Sequence, residues 1–288
     1  MDRRTVKVKM WGTTIGYLYR QDNGLIGFQY DNKFIPSGIE VSPIRMPLSD
    51  ITYAFPALPE VTFNGLPGML ADSLPDKFGN IVIKNYLQNQ GRTEDSLTVL
   101  ERLCYTGERG MGALEYEPAY ELVEKKENDD LDYLSIQCQK VLQTEFSEDL
   151  DVLYKMAGSS GGAGPKILTT FENKDWIIKF PAHIDSKNIG ELEYNYSKCA
   201  VKCGITMTET RLLPSNLCEG YFGTVRFDRI RENGENNKVH MATAAALLEA
   251  DFRAPCMDYH TLMKLTRILT KDNREEMESM FRRMCFNV

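Results

Sequence analysis

A glycine-rich stretch, residues 157–166 (AGSSGGAGPK), constrains this chain more than any other part of its sequence. Four glycines among nine residues let the backbone turn sharply and present several N–H groups at close range, an arrangement that binds phosphate. Soon afterwards Lys179 lies in the otherwise apolar run WIIKF, where a lysine is costly to bury unless it meets an anion. Together these features indicate a nucleotide-phosphate site. A flexible Gly/Ser linker before an ordinary hairpin is the alternative that composition leaves open.

The composition of the 288 residues is that of a globular protein, with 42% hydrophobic and 26% charged residues. A formal net charge of −7 argues against nucleic-acid binding as the main activity. The N-terminus lacks the apolar core of a signal peptide, and no apolar run is long enough to cross a bilayer. Seven scattered cysteines without a C-x-x-C pair fit reduced, mostly buried thiols. These features predict a cytoplasmic protein with no membrane partner.

The pattern along the chain predicts an α+β fold. Three short runs rich in β-branched and aromatic residues, with turns at Gly12 and 22–24, predict an N-terminal β-meander. The segment 63–79 alternates turn residues with apolar anchors, which predicts a packed loop. Beyond a charged connector, a helix is predicted to end at Gly158, so the glycine-rich stretch joins a helix to a strand. That setting is unlike the strand-to-helix turn of a dinucleotide fold.

The order of elements after the glycine-rich stretch resembles the first lobe of a protein kinase. A lysine-bearing strand is followed by a helix, predicted from about Glu191 to Cys203, that carries Glu191 and Glu193 in its first turn. The helix dipole favours carboxylates at that position in any case, so a purely structural role is the alternative. A Walker loop is excluded, because Pro165 interrupts the Gly–Lys step and Ile167 stands where a hydroxyl residue is needed.

Motifs spread over essentially the whole chain are similar to those of the HipA family, the serine/threonine kinase toxins of bacterial toxin–antitoxin pairs. Residues 65–76 and 107–114 resemble two motifs of that family's N-terminal subdomain. Residues 159–166 resemble its phosphate loop, and residues 226–229 resemble its hinge.

The resemblance implies three parts. A β-rich N-terminal subdomain would occupy residues 1–125, and a kinase-like N-lobe with its phosphate loop and hinge would occupy 126–230. The helical start of a C-lobe would follow at 231–288, with helices predicted at 243–250, 259–269 and 274–288.

The resemblance also implies a nucleotide site for ATP and Mg²⁺. Lys179 would contact the α and β phosphates, and Glu193 rather than Glu191 would orient that lysine. The Val225 carbonyl and the Phe227 N–H would meet the adenine edge. The full implied set of nucleotide-binding residues is Ser160, Gly161, Gly162, Ala163, Gly164, Lys179, Glu193, Val225 and Phe227.

Either Ser159 or Ser160 would be the autophosphorylated loop serine of the family, and the doubled serine leaves the choice open. A surface hydroxyl that caps a turn is the alternative. The family's catalytic base and magnesium-binding aspartate come later than this sequence extends, so no catalytic residue and no metal ligand is predicted within it. Asp251 and Asp258 come too early to supply them, and His240 is typical of a buried, hydrogen-bonded histidine.

Two functions follow from the resemblance. The first is a HipA-like serine/threonine kinase toxin that phosphorylates a protein of translation, seen without its catalytic and metal-binding loops. The second, favoured for activity in these 288 residues, is an inactive truncated module that binds the antitoxin, with or without nucleotide. The implied partner is a helix-turn-helix antitoxin of the HipB type, through which alone nucleic acid would be reached. Cys199 and Cys203 are predicted to pack in the core rather than to bind zinc.

Overall fold

A computed structural model describes residues 4–89, 91–93, 97–120, 130–143, 150–156, 164–232, 235–255 and 257–288. The described residues form a mixed α and β fold with antiparallel sheets, which confirms the predicted fold class.

An antiparallel five-stranded sheet forms the N-terminal part, and it confirms the predicted meander. Its strand order is β4-β3-β2-β1-β5, so the last strand returns to pair with the first. The turn between the first two strands places Trp11 and Gly12 at positive φ, a conformation that suits a two-residue hairpin turn. The strands are β1 (Thr5–Met10), β2 (Thr13–Arg20), β3 (Ile26–Tyr30), β4 (Thr52–Tyr53) and β5 (Leu114–Glu117).

In the described residues, four helices lie between β4 and β5 along the chain: α1 (Glu60–Phe63), α2 (Gly68–Ala71), α3 (Lys77–Asn89) and α4 (Val99–Thr106). The helix α2 and the first turn of α3 lie in the segment 63–79, which was predicted to be a packed loop, so that prediction is wrong in detail. The helices α1 and α2 each begin directly after a proline, Pro59 or Pro67, whose fixed φ is compatible with the start of a helix. A capping box of Thr98 and Glu101 begins α4.

A second antiparallel sheet follows, with the order β6-β7-β9-β8. The helix α7 packs against β8 and β9, while α5 and α6 share a hydrophobic core with the sheet. A polar hairpin of β10 and β11 comes next, and its lack of apolar alternation explains why the sequence did not predict it. The elements are α5 (Leu131–Leu142), α6 (Leu150–Met156), β6 (Lys166–Phe171), β7 (Lys174–Lys179), α7 (Ile189–Lys202), β8 (Thr210–Leu213), β9 (Tyr221–Val225), β10 (Arg229–Glu232) and β11 (Glu235–Lys238).

The hydrophobic residues form two cores, and α3 belongs to the second. Phe78 and Val82 of α3 lie with the buried Trp176 and Tyr221 of the second sheet. The first core lies between the N-terminal sheet and α4. The second core therefore takes residues from both sides of residue 125, and the predicted domain limits stay a prediction.

The chain ends in three helices, α8 (Ala244–Leu248), α9 (Tyr259–Leu269) and α10 (Arg274–Asn287), close to the predicted ranges. A close approach joins the first of these to the N-terminal part: a Cβ added at Gly68 of α2 would lie 2.3 Å from the Ala246 carbonyl oxygen. No residue of α10 is buried, and Phe281 in its middle is 53% exposed.

Of the described cysteines, Cys104 and Cys138 are buried, whereas Cys199 and Cys203 are exposed. The prediction that the last two pack in the core is wrong. The buried positions of α7 are instead the small residues Gly190, Ser197 and Ala200.

Candidate functional site

An ion pair between β7 and α7 is the centre of the candidate site. Lys179 is the last residue of β7, and its Nζ lies 2.5 Å from Oε1 of Glu193 in α7. The two side chains are 44% and 38% exposed, so both are accessible to a ligand. The ammonium of Lys179 also lies 5.5 Å from the centre of the Phe222 ring. The structure thus pairs Lys179 with Glu193 rather than Glu191. This is the glutamate that the family resemblance implied.

The start of α7 reaches the sheet because it carries a glycine at the contact. A Cβ added at Gly190 would lie 2.2 Å from the Gly220 carbonyl oxygen, a distance that real structures do not show. Only a residue without a side chain allows this approach. Gly190 therefore fixes the distance between the first turn of α7 and β9, and with it the position of Glu193.

Most of the predicted phosphate loop, including Ser159, Ser160, Gly161, Gly162 and Ala163, lies outside the described residues. The described part resumes at Gly164, whose carbonyl oxygen accepts a hydrogen bond of 3.2 Å from Lys166 Nζ. Lys166 lies directly opposite Lys179 in the β6–β7 register. The C-terminal end of the loop therefore lies at the same end of the sheet as Lys179.

The predicted hinge combines an exposed aromatic ring with buried charges. Val225 ends β9, and the Phe227 side chain is 59% exposed. The charged residues on either side of Phe227 are buried instead: Arg226 is 6% exposed and Asp228 is fully buried. Arg226 Nη2 and Arg229 Nη1 each lie 2.7 Å from Asp228 Oδ2.

This buried cluster joins the hinge to the second N-terminal motif, residues 107–114. The Gly112 N–H donates to Asp228 Oδ2 at 2.7 Å, and the Gly110 carbonyl accepts from both Arg226 and Arg229. Burial alone would raise the pKa of Asp228, but the hydrogen bond from Arg226 and the charges of both arginines hold it below its ordinary value. Both motifs were recognisable in the sequence, but nothing in the sequence predicted that they contact each other.

The first N-terminal motif, residues 65–76, contacts the C-terminal half through its two aspartates. Asp72 accepts hydrogen bonds from the Thr243 N–H and Oγ1 at 2.7 and 2.9 Å, next to the start of α8. Burial raises the pKa of Asp72, and these hydrogen bonds act in the opposite direction. Asp76 pairs with Lys166, with Nζ 2.9 Å from Oδ2. Nothing in the sequence indicated these two contacts beyond the presence of two carboxylates in a turn-rich motif.

The other candidate residues have structural contacts. Asp251 accepts from Thr62 Oγ1 at 2.7 Å, and Asp258 caps the start of α9. His240 is partly buried and its Nε2 donates to the Val41 carbonyl at 3.0 Å, as expected for a hydrogen-bonded histidine. Burial lowers its pKa. Within the described residues, no group of three or more His, Cys, Asp or Glu could hold a metal ion.

The four-stranded sheet, its terminal lysine and the glutamate-bearing helix define a kinase-like fold. The structure is similar to a solved complex described as the "Shewanella oneidensis MR-1 Toxin Antitoxin System HipA, HipB and its operator DNA". The TM-score is 0.58 at 15% sequence identity, and the match covers 98% of this chain and 68% of that chain. At this identity the match shows the fold.

Two family models match in sequence. The HipA N-terminal domain matches residues 6–117, and the HipA-like C-terminal domain matches residues 158–288. The chain therefore belongs to the HipA-like toxin family. A comparison with curated protein sequences finds no match. Among the helices in the described ranges, none is both long and apolar enough to span a membrane.

Proposed function

We propose that this chain is the nucleotide-binding part of a HipA-like serine/threonine kinase toxin, with ATP and Mg²⁺ as its ligands. The observation that carries the proposal is the ion pair of Lys179 and Glu193. A lysine held by a single carboxylate on a neighbouring helix keeps its ammonium oriented and leaves donors for phosphate oxygens. Because the Lys179 side chain is 44% exposed, a ligand can reach it.

The sheet also offers an apolar surface beside this lysine. Ile177 lies two residues before Lys179, so both side chains point to the same face of β7. Leu168 is directly opposite Ile177 in the register, and both residues are only partly buried. An adenine ring packed there would have its edge near Val225 and Phe227 at the end of β9, and its phosphates near Lys179.

Phosphoryl transfer to a serine or threonine of a translation protein is the reaction that this family membership suggests. Ser159 or Ser160 would be the autophosphorylated residue of the loop. Mg²⁺ would enter as the complex with ATP. The second candidate is an inactive module that binds the antitoxin, and phosphoryl transfer by the purified chain decides between the two.

We further propose a helix-turn-helix antitoxin of the HipB type as partner, with nucleic acid bound only through it. The similar Shewanella protein was solved together with HipB and operator DNA, which supports this choice. The net charge of −7 agrees with an indirect contact to DNA. A cytoplasmic location belongs to the same proposal, because the antitoxin and the translation machinery act there.

Thermal unfolding with and without Mg·ATP tests nucleotide binding. Ligand at 100 times its Kd stabilises the folded state by about 2.7 kcal/mol, so we expect a clear rise in Tm. Lys179→Met should abolish the rise, because the phosphates lose their cation. Lys174→Met is the matched control: it removes a lysine from the other end of the same strand, where the partner is Glu209.

No rise in Tm for the unmodified chain would contradict nucleotide binding. An equal rise in the Lys179→Met protein would contradict the site. Incubation with ³²P-labelled ATP then tests catalysis by the chain itself: labelling of the chain or of translation proteins that depends on Lys179 identifies an active kinase, whereas a chain that binds nucleotide without catalytic loops should give no label.

A further inference from the structure

Asp76 and Lys166 form one of the most deeply buried ion pairs in the described part of the chain. Their side chains are 7% and 6% exposed, with Nζ 2.9 Å from Oδ2. The same Nζ donates to the Gly164 carbonyl at 3.2 Å. Because Gly164 is the last glycine of the predicted phosphate loop, Lys166 connects the end of that loop to Asp76.

The Asp76 carboxylate is itself fixed by the start of α3. Its Oδ1 accepts from the Gly79 N–H at 2.8 Å, and its backbone carbonyl accepts from the Asn80 N–H at 2.8 Å. A side chain that caps a helix start has little freedom to move while the helix is formed. Asp76 thus presents Oδ2 to Lys166 from a rigid position.

The other end of the loop is held by the same helix. α6 ends at Met156, directly before the undescribed residues 157–163, and it packs against α3. Phe78 and Val82 of α3 share the second core with Leu153 and Met156 of α6. The helix α3 therefore packs against α6 on one side of these residues, and it begins directly after Asp76, the partner of Lys166 on the other side.

The register places two like charges side by side. Lys166 lies directly opposite Lys179, an arrangement that is unfavourable without counter-charges. Each lysine has its own carboxylate, Asp76 for Lys166 and Glu193 for Lys179. The two carboxylates therefore offset the repulsion between these neighbouring lysines.

We propose that Asp76 and Lys166 are a positioning pair through which the N-terminal domain sets the place of the Gly164 backbone relative to Lys179, and so the affinity for nucleotide phosphates. The inference rests on the proposed function. Buried ion pairs contribute little net stability because desolvation offsets their attraction, which favours a geometric role for this one.

Two ligands separate positioning from general stability. The Kd values of Mg·ATP and of adenosine are measured calorimetrically for the 288-residue chain and for Asp76→Asn. Adenosine has the base but no phosphate. We expect Mg·ATP to bind roughly tenfold more weakly to the variant, equivalent to about 1.4 kcal/mol, with adenosine unchanged. Lys166→Arg, which keeps the charge, should retain most of the affinity for Mg·ATP.

Glu115→Gln is the control, since it breaks the Lys238–Glu115 pair at the junction of β5 and β11. If circular dichroism shows that Asp76→Asn is unfolded, Asp76→Glu displaces the same carboxylate by one methylene and is read in the same way. Equal losses for both ligands, or no loss for Mg·ATP, would overturn the inference. A native chain that binds adenosine but not Mg·ATP, or binds neither, contradicts the proposed function itself.

Discussion

At the scale of single residues, a few buried charges connect the two halves of this chain. Asp228 is the clearest case, because it is fully buried and accepts from Arg226, Arg229 and the Gly112 N–H. Gly112 and Asp228 are 116 residues apart in the sequence. The residues predicted to form the hinge therefore also bind the N-terminal motif at Gly110 and Gly112. The exposed Phe227 lies between the two buried residues that make these contacts, Arg226 and Asp228.

Asp228→Asn should destabilise the fold by about 3–5 kcal/mol, because it leaves two buried arginines without their counter-charge. The measurement is the free energy of unfolding in urea. Since the pKa of Asp228 is lowered in the folded state, its contribution is present above pH 3.8 and is lost as the pH falls below that value. The difference between the two proteins should therefore shrink in acid.

Asp175→Asn is the comparison, because the Asp175–Arg231 pair is more exposed, at 12% and 28%, and its loss should have a smaller effect. Equal effects of the two substitutions would contradict the special role of Asp228.

At the scale of elements, the contact between the N-terminal part and the C-terminal helices depends on two short helices and on a glycine. The helices α2 and α8 have only four and five residues, too short to be stable alone, so each depends on the other. Gly68 of α2 allows the Ala246 carbonyl to approach, and Asp72 binds Thr243 at the start of α8. The turn-rich motif became helical because this partner is present.

Gly68→Ala should separate α2 from α8, because the added methyl would lie 2.3 Å from a backbone oxygen. A clash with backbone cannot be relieved by a rotamer change, so we expect a loss of about 1–3 kcal/mol in unfolding free energy. Hydrogen exchange should show faster exchange in α8. Gly164→Ala is the control for stability, since a Cβ there meets no atom of the described residues within 4 Å. Unchanged exchange in α8 would contradict the proposed contact.

At the scale of the whole molecule, residues matched by both family models contribute to the same hydrophobic core. α3 lies within residues 6–117, matched by the N-terminal domain model, but its apolar side belongs to the core of the second sheet. The Asp76–Lys166 ion pair and the hydrogen bonds of Gly112 to Asp228 and of Arg226 to Gly110 cross the same junction. Neither part can unfold without exposing surface of the other.

Unfolding should therefore be a single transition. The chain has two tryptophans, Trp11 beside the first sheet and Trp176 buried in the second core. In the Trp176→Phe variant, the remaining Trp11 reports on the turn of the first sheet and on its 2.6 Å hydrogen bond to the Lys238 carbonyl of β11. In the Trp11→Phe variant, the remaining Trp176 reports on the second core. We expect each variant's fluorescence midpoint in urea to coincide with its own far-ultraviolet circular dichroism midpoint, as a two-state protein requires. Distinct midpoints would show that the parts unfold independently.

The sequence determined much of the local structure and the choice of site residues. Alternation and turn residues predicted the meander, and residue patterns predicted α7 and the three C-terminal helices. The order of lysine strand and helix placed Lys179 near Glu191 or Glu193, and the choice of Glu193 came from the family resemblance. These signals are contained in windows of about ten to twenty residues, which periodicity can read. The predicted nucleotide roles of Val225, Phe227 and the loop residues stay predictions.

Only the tertiary structure decided which distant segments meet. It brought Asp76 to Lys166 and Gly112 to Asp228, and it added the polar hairpin of β10 and β11. It also exposed Cys199 of α7 and Cys203, which follows that helix. A contact between residues about a hundred positions apart leaves no local pattern, because it depends on how whole elements pack. The glycine-rich stretch was identifiable in the sequence, but its attachment to α3 through Lys166 follows from packing alone.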